Sequence, residues 1–92
     1  MSDIKVTQKR IDHLLETAEY RLIEVFGKCL ILAVKLENGF VLTESSACVD
    51  PKNYDREIGR KICIKRIENR LWELEGYELQ KRIFNQEGPD NE

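Results

Sequence analysis

Residues 29–45, with the sequence CLILAVKLENGFVLTES, decide the fold of this chain. The first eight residues form an almost unbroken apolar run, so the side chains that face either side of an extended chain are mostly apolar. A half-exposed strand would instead alternate apolar and polar side chains. The run therefore predicts a strand over about 29–36 that lies in the centre of a sheet and is covered on both faces.

A tight turn follows this strand. Asn38 and Gly39 both tolerate positive φ, as a two-residue hairpin turn requires. The chain then returns as an antiparallel partner strand over about 40–45. A two-residue turn at this place sets Val41 opposite Leu36, and the same register continues along the hairpin.

Helices flank the predicted hairpin. Over about 7–18, apolar residues recur at helical spacing. Asp50 and Pro51 form a helix-start signal, because aspartate caps helices and proline suits the first helical position. The longest helix is then predicted over about 54–74, with Gly76 ending it.

Three segments are less sharply defined by the pattern. Residues 20–26 fit either a continuation of the first helix or a strand, because periodicity alone does not separate the two. Residues 77–84 can add a short helix. Residues 85–92 have no apolar side chain and carry glycine and proline, so they predict a disordered tail behind a single domain over 1–84.

The long helix carries apolar residues on two nearly opposite sides. One stripe is enough for a helix that packs on a sheet. A chain of 92 residues has little further material to cover a second stripe, which predicts a homo-oligomer. The alternative is a helix sunk deeply in its own core. The two sides hold Tyr54, Ile58, Ile62 and Trp72, and Ile64, Ile67, Leu71 and Leu74.

Composition excludes several classes of protein. Lysine and arginine number 15 against 17 aspartates and glutamates, and 41% of residues are apolar, which is typical of a globular protein and gives no general nucleic-acid signature. No apolar run approaches the roughly 20 residues of a membrane span. The mostly polar residues 1–12 predict no signal peptide. Three cysteines without a C-x-x-C pair indicate a reducing, intracellular compartment.

The sequence offers no recognisable catalytic or metal-binding set, so neither an enzyme nor a cofactor nor a metal site is predicted. His13 is the only histidine, and it falls on a polar face of the first helix. Ser45, Ser46 and Cys48 cluster, but a nucleophile needs an adjacent base and a third group that orients it. No phosphate-binding glycine loop is present.

A weak phosphate signal lies on the long helix. Its basic residues fall within ten positions: Lys61, Lys65, Arg66 and Arg70. A solvated face of ion pairs is the favoured explanation of these residues, and a phosphate site is the alternative, since arginine forks bind phosphate and stack on bases. The chain near 51–53 can offer free backbone N–H groups to an anion.

Four blocks of residues carry a family resemblance. They read N-G-F at 38–40, E-S-S-A-C-V at 44–49, N-Y-D-R-E-I-G-R at 53–60 and L-W-E-L-E-G-Y at 71–77. Their order and spacing resemble a family of small phage proteins over about residues 29–84. Departures from the family pattern are Thr43 in place of a common glycine, an extra or shifted Ser46, and Tyr54 in place of phenylalanine.

The family is in turn similar to the Thoeris anti-defence sponge proteins. The resemblance implies a phage protein of the host bacterial cytoplasm that binds glycocyclic ADP-ribose, the signal made by the TIR enzyme of the defence system, and holds it intact. Some sponges also take up cyclic oligonucleotides at separate sites. The implied fold is a small α/β unit that assembles into dimers or larger oligomers. It favours a strand over 20–26 and hence an α+β fold with a three-stranded antiparallel meander.

The resemblance and the chemistry of the ligand suggest four binding residues. Phe40 would stack on adenine, Asn53 would hydrogen-bond a base edge or a ribose hydroxyl, and Arg70 with Arg21 would hold the diphosphate. Asn53 and Arg70 lie far apart along the helix, so a pocket across a dimer interface is expected. Each residue also has a plain structural explanation, such as helix capping by Asn53 or an ion pair between Arg21 and Glu24.

Two further functions remain open from the sequence. The first is a phage protein that binds and occludes a host protein or a nucleic acid, for which the charged helix would serve. The second is an unrecognised hydrolase that destroys the signal. A sponge releases unchanged ligand on heating, a hydrolase does not, and an occluding protein ignores the nucleotide.

Overall fold

A computed structural model describes residues 4–86 and shows the expected α+β fold: an N-terminal helix, a three-stranded antiparallel sheet in the order β1-β2-β3, and a long helix. Residues 20–26 thus belong mainly to a strand rather than to a helix. The elements are α1 (Gln8–Glu16), β1 (Glu19–Val25), β2 (Cys29–Lys35), β3 (Val41–Ala47), a 3-10 turn (Pro51–Asn53) and α2 (Arg56–Gln86).

Local capping explains where α1 begins. The Thr7 hydroxyl accepts a hydrogen bond from the backbone N–H of Arg10, which satisfies one of the free amides of the first turn. Ile11 and Leu14, three residues apart, are the buried residues of this helix. The helix therefore anchors itself to the core through one narrow stripe.

The register of the β2–β3 hairpin differs by one residue from the prediction. Val41 pairs with Lys35 rather than with Leu36. The reason is a three-residue turn, in which the Gly39 N–H donates to the Leu36 carbonyl at 2.8 Å and Gly39 adopts φ 96°. One residue of register moves every side chain to the other face of the sheet. Leu42 is consequently 1% exposed in the core, while Val41 is 52% exposed on the opposite face.

The core lies between α2 and one face of the sheet. From α2 come Cys63, Ile67 and Leu71, and from the sheet come alternate residues of the central and third strands. Those strand residues are Leu30, Leu32, Val34 and Leu42, each at most 1% exposed. Because α2 lies over β2 and β3, it leaves the inner face of β1 less covered.

The other face of the sheet has no layer over it among residues 4–86, so the prediction that β2 is covered on both sides is wrong for this part of the chain. Ile31 and Ala33 on that face are only half-buried, and Ile23 beside them is 53% exposed. Both faces of β2 are apolar, but residues 4–86 cover only one of them.

The long helix begins later and runs further than predicted. It continues through Gly76 as one helix to Gln86, so neither the predicted end near 74 nor a separate helix over 77–84 is correct. A single glycine costs a helix about 1 kcal/mol, and the strong helix formers around it outweigh that cost. Asn85 and Gln86 extend the helix into the predicted tail, and residues 87–92 lie outside the described residues.

Candidate ligand-binding cleft

A cleft of about 170 Å³ opens where α2 begins. It lies between the end of β3 and the first two turns of α2, so the blocks 44–49 and 53–60 meet in it. Its lining residues are Ser46, Ala47, Cys48, Asn53, Tyr54, Asp55, Ile58, Gly59 and Ile62. The cleft therefore combines an apolar wall with hydroxyl, thiol, amide and carboxyl groups.

Backbone hydrogen bonds fix the walls of the cleft. The Cys48 N–H donates to the Lys28 carbonyl at 3.0 Å, which ties the end of β3 to the β1–β2 turn. Asp50 then caps the 3-10 turn, where its carboxylate accepts from the Lys52 N–H at 3.0 Å. This turn carries Asn53 to the rim, where its side chain is exposed.

Gly59 permits the close packing of α2 that shapes the base of the cleft. A Cβ atom added at Gly59 would lie 3.3 Å from Cδ2 of Leu30 and 4.0 Å from Cβ of Ser46. The glycine in the block E-I-G-R thus lets α2 approach β2 and β3 closely. Its role is one of packing rather than of turn geometry.

Tyr54 ties the cleft to the edge strand β1. Its hydroxyl donates to Oε2 of Glu24 at 2.7 Å. Burial, with the hydrogen bond to this carboxylate as the next cause, raises the pKa of Tyr54 to about 12. The phenol is therefore a neutral donor at physiological pH. Arg56 lies 3.9 Å from the second oxygen of the same carboxylate and extends the link.

The expected free amides at 51–53 are absent from the described structure, because their donors are already used. Asn53 N–H donates to the Asp50 carbonyl, and the Lys52 N–H donates to the Asp50 carboxylate. At the start of α2, Asp55 accepts from the N–H groups of Glu57 and Ile58 at 2.9 and 3.2 Å. The Asp55 carboxylate, which lines this end of the cleft, also makes it unfavourable for a phosphate.

The two predicted arginines of α2 cover the free edge of β3. Nη1 of Arg70 donates to the Thr43 carbonyl at 2.9 Å, and Nη1 of Arg66 donates to the Ser45 carbonyl at 2.8 Å. Arg70 also lies 3.4 Å from Glu44. Unpaired carbonyls on an edge strand invite association with other strands, so these arginines protect the edge.

The four predicted ligand residues do not share a cavity in one protomer. Asn53 lines the cleft at α2, whereas Phe40, 49% exposed, lines another cavity of about 190 Å³ at the tip of the β2–β3 hairpin. Arg21 lies on the uncovered face of the sheet beside Lys35, with its guanidinium on Glu19. Arg70 lines none of these three cavities.

An exposed apolar tip beside the cleft was not foreseen from the sequence. Phe26 is 89% exposed and Val49 is 93% exposed, and the Lys28 ammonium donates to the Val49 carbonyl at 3.2 Å. Phe26 also has φ 58°, a conformation uncommon for a bulky residue. The available sequence signal was the pair Phe26-Gly27 before the apolar strand, which marks a turn without showing that its aromatic points to solvent.

Residues 4–86 contain neither a candidate metal site nor a candidate membrane span. No group of three or more histidine, cysteine, aspartate or glutamate side chains is placed to hold a metal ion there. Among the same residues, no helix combines the length and the apolar character of a membrane span.

Comparison with known proteins identifies a family. The model of the phage protein (N4 Gp49/phage Sf6 gene 66) family matches residues 6–83, which is most of the chain and includes every block that lines the cleft. No curated protein and no solved structure matches.

Proposed function

The chain belongs to this phage protein family, and we propose that it is an anti-defence protein that binds and sequesters a nucleotide immune signal without cleaving it. The proposed ligand is glycocyclic ADP-ribose, with cyclic oligonucleotides as a second class. Removal of the signal would keep the Thoeris effector inactive in the cytoplasm of the host bacterium. This proposal takes its ligand from the resemblance to sponge proteins and its site from the cleft at α2.

The observation that carries the proposal is the convergence of two family blocks on one cleft. Asn53 offers both amide donors and an acceptor, and Ser46 offers a hydroxyl at the opposite wall. Ile58 and Ile62, 57% and 37% exposed, supply an apolar surface for a base. The proposed role of these groups is to bind a nucleoside without cleaving it.

Volume indicates that one cleft is not the whole site. A small-molecule pocket usually encloses about 300–1,000 Å³, whereas this cleft holds about 170 Å³. The Asp55 carboxylate in the lining also disfavours the diphosphate there. A second protomer that supplies cations would satisfy both needs, so the proposed sponge is a homo-oligomer.

Arg70 and Arg21 remain the proposed diphosphate ligands. Within residues 4–86 both contacts of Arg70 run through Nη1, so Nε and Nη2 keep donors for a ligand. The side chain of Arg70 is 43% exposed, which allows access. Phe40 is half-exposed and can offer one face of its ring to a base.

Calorimetry with glycocyclic ADP-ribose tests the proposal. Removal of one hydrogen bond by Asn53→Ala should weaken binding about 3–10-fold. The matched control is Asn69→Ala, which removes an exposed amide from α2 away from the cleft. No binding by the wild-type chain, or equal losses in the two variants, would contradict the proposed site.

The exposed tip favours a second candidate, a phage protein that occludes a host protein. Two side chains as exposed as Phe26 and Val49 are typical of an anchor for a partner. Under this alternative, the chain would capture a host protein and show no heat on addition of the nucleotide. If the chain occludes a host protein, Phe26→Ser should abolish capture of that protein. If the chain is a sponge, Phe26→Ser should leave nucleotide binding unchanged.

A further inference from the structure

The two edge strands of the sheet differ in how the chain covers their backbone groups. On β3, the outward carbonyls of Thr43 and Ser45 accept hydrogen bonds from the guanidinium groups of Arg70 and Arg66. This cover occupies the acceptors that another strand would use. The opposite edge of the sheet is β1, on which α2 does not pack.

The hydrogen-bond pattern of the sheet fixes which backbone groups of β1 point outward. In an antiparallel sheet, alternate residues of a strand bond to each of its two neighbours. Thr43 points away from β2, so its partner Ala33 directs its backbone groups to β1 and bonds to Arg21. Apart from the Tyr20 carbonyl, which accepts from Nη1 of Arg21, no outward group of β1 is hydrogen-bonded within residues 4–86. The outward residues of β1 are Tyr20, Leu22 and Glu24.

A recess of about 290 Å³ opens beside this edge, between β1 and the flank of α2. Leu22 pairs with the core residue Leu32, so the outward residues of β1 direct their side chains to the face that holds the recess. A strand added at this edge would therefore place every second side chain in the recess. In strand addition, the backbone bonds supply affinity and such a pocket supplies specificity. The lining consists of Tyr20, Leu22, Leu32, Arg60 and Ile64.

Arg60 is the one charged residue in this lining. Its Nε and Nη2 donate to Glu57, so Nη1 keeps its N–H donors within residues 4–86. Arg56 lies beside Glu24 at 3.9 Å. Four residues of a helix and two residues of a strand both advance about 6–7 Å, which places Arg60 at the level of Leu22. A carboxylate opposite Leu22 on an added strand would reach Nη1.

A second copy of this chain is a poor match for the edge. The inner face of β1 carries one carboxylate, that of Glu24. This carboxylate already accepts from the Tyr54 hydroxyl at 2.7 Å and lies 3.9 Å from Nε of Arg56. A second β1 would therefore bring no free carboxylate to Arg60. The charge of the recess favours a segment of a different protein.

We propose that the free edge of β1 binds an extended segment of another protein by antiparallel strand addition. The segment carries an aspartate or glutamate opposite Leu22, where it pairs with Nη1 of Arg60. Two residues further along, opposite Tyr20, it carries an apolar side chain that fills the recess at the level of Ile64. This site is separate from the cleft at α2 and from the exposed tip, and it does not depend on the nucleotide ligand.

A synthetic peptide tests the pairing. The probe is a fluorescent peptide of sequence Lys-Thr-Val-Thr-Glu-Thr-Leu-Thr-Lys, whose valine, glutamate and leucine share one face of a strand. Anisotropy should show saturable binding as the protein is titrated to about 1 mM. Absence of binding by this peptide would overturn the proposal.

Backbone methylation of the probe separates strand addition from simple apolar contact. In an antiparallel pair, the amides of the valine, glutamate and leucine face β1, so N-methylation of these three should abolish binding. The control peptide is N-methylated at three of its threonines, whose amides face solvent, and should bind within about threefold of the parent. Equal losses from the two methylated peptides would overturn the proposed pairing.

Charge exchange tests the role of Arg60. Arg60→Glu should raise the Kd of the probe at least tenfold, and a probe with lysine in place of glutamate should bind this variant more tightly than the parent probe does. The control is Lys81→Glu, which makes the same charge change at an exposed position of α2 away from the recess and should bind the probe as the wild type does. Failure of the lysine probe to bind Arg60→Glu would overturn the predicted pairing of charges.

Amide hydrogen exchange distinguishes a peptide from a second copy on the edge. In the free chain, the outward N–H of Leu22 should exchange rapidly, whereas the N–H of Ile23 is bonded within the sheet and should exchange slowly. Saturation with the probe should slow exchange at Leu22 at least tenfold. Protection of Leu22 in the free chain that rises with protein concentration would show a second copy on this edge and would contradict the proposal.

Discussion

The hairpin register can be tested because Val41 and Leu42 are neighbours in sequence but lie on opposite faces of the sheet. Leu42 is 1% exposed in the core, whereas Val41 is 52% exposed on the uncovered face. Truncation of a fully buried leucine to alanine removes buried methyl groups and leaves a cavity, at a cost of about 2.7–5 kcal/mol. Truncation of a half-exposed valine should cost about 0.5–1 kcal/mol.

Urea unfolding at one fixed protein concentration measures both costs. With an m-value of about 1.5 kcal/mol/M, a loss of about 3 kcal/mol lowers the midpoint by about 2 M. We therefore expect Leu42→Ala to lower the midpoint by about 2 M and Val41→Ala by less than about 0.7 M. The two-residue turn predicted from sequence would reverse this order, since it places Val41 in the core. Equal shifts, or a larger shift for Val41→Ala, would refute the observed register.

Three further variants have defined outcomes. Arg70→Ala removes a partly exposed, charge-assisted contact, so the free energy of unfolding in urea should fall by about 1 kcal/mol. The variant also uncovers the Thr43 carbonyl on the edge strand, so light scattering should show more high-mass species. Unchanged mass and stability would show that this edge needs no cover. Tyr54→Phe removes the hydrogen bond to Glu24. Because the folded pKa of Tyr54 is about 12, against about 10 for a free phenol, wild-type stability should fall as pH rises through this window and the variant should fall less. Parallel curves would exclude this link. The hydrogen bond from Arg60 lowers the pKa of Glu57 below its ordinary value of 4.5. Its contribution to stability is therefore present above that value and lost as the pH falls below it, so Glu57→Gln should reduce the fall of the unfolding midpoint on acidification. An unchanged slope would contradict the role of that pair.

Local sequence chemistry predicts most elements of the fold. The apolar run over 29–36 and the turn after it specified a hairpin, and Asp50 with Pro51 marked the start of helical structure. The predicted register is wrong because Asn38-Gly39 suits both a two-residue and a three-residue turn. The three-residue turn of the structure also includes Glu37. The predicted end of α2 is wrong because one glycine among strong helix formers is a weak stop signal.

The candidate site was harder to predict than the fold. Asn53 lines the cleft, and its role in ligand binding stays a prediction. A sequence cannot show that the guanidinium of Arg70 lies at the Thr43 carbonyl. The exposure of Phe26 and the extension of α2 past its last buried residue, Leu71, depend on where the sheet ends, which is a property of the assembled fold.

We propose that this phage protein binds its signal and leaves the signal uncleaved. The direct measurement is to saturate the purified chain with glycocyclic ADP-ribose, remove the free ligand, boil the complex and analyse the supernatant by mass spectrometry. We predict recovery of the intact nucleotide in a fixed ratio to protein. Retention of no nucleotide, or release of cleaved products only, would contradict the account.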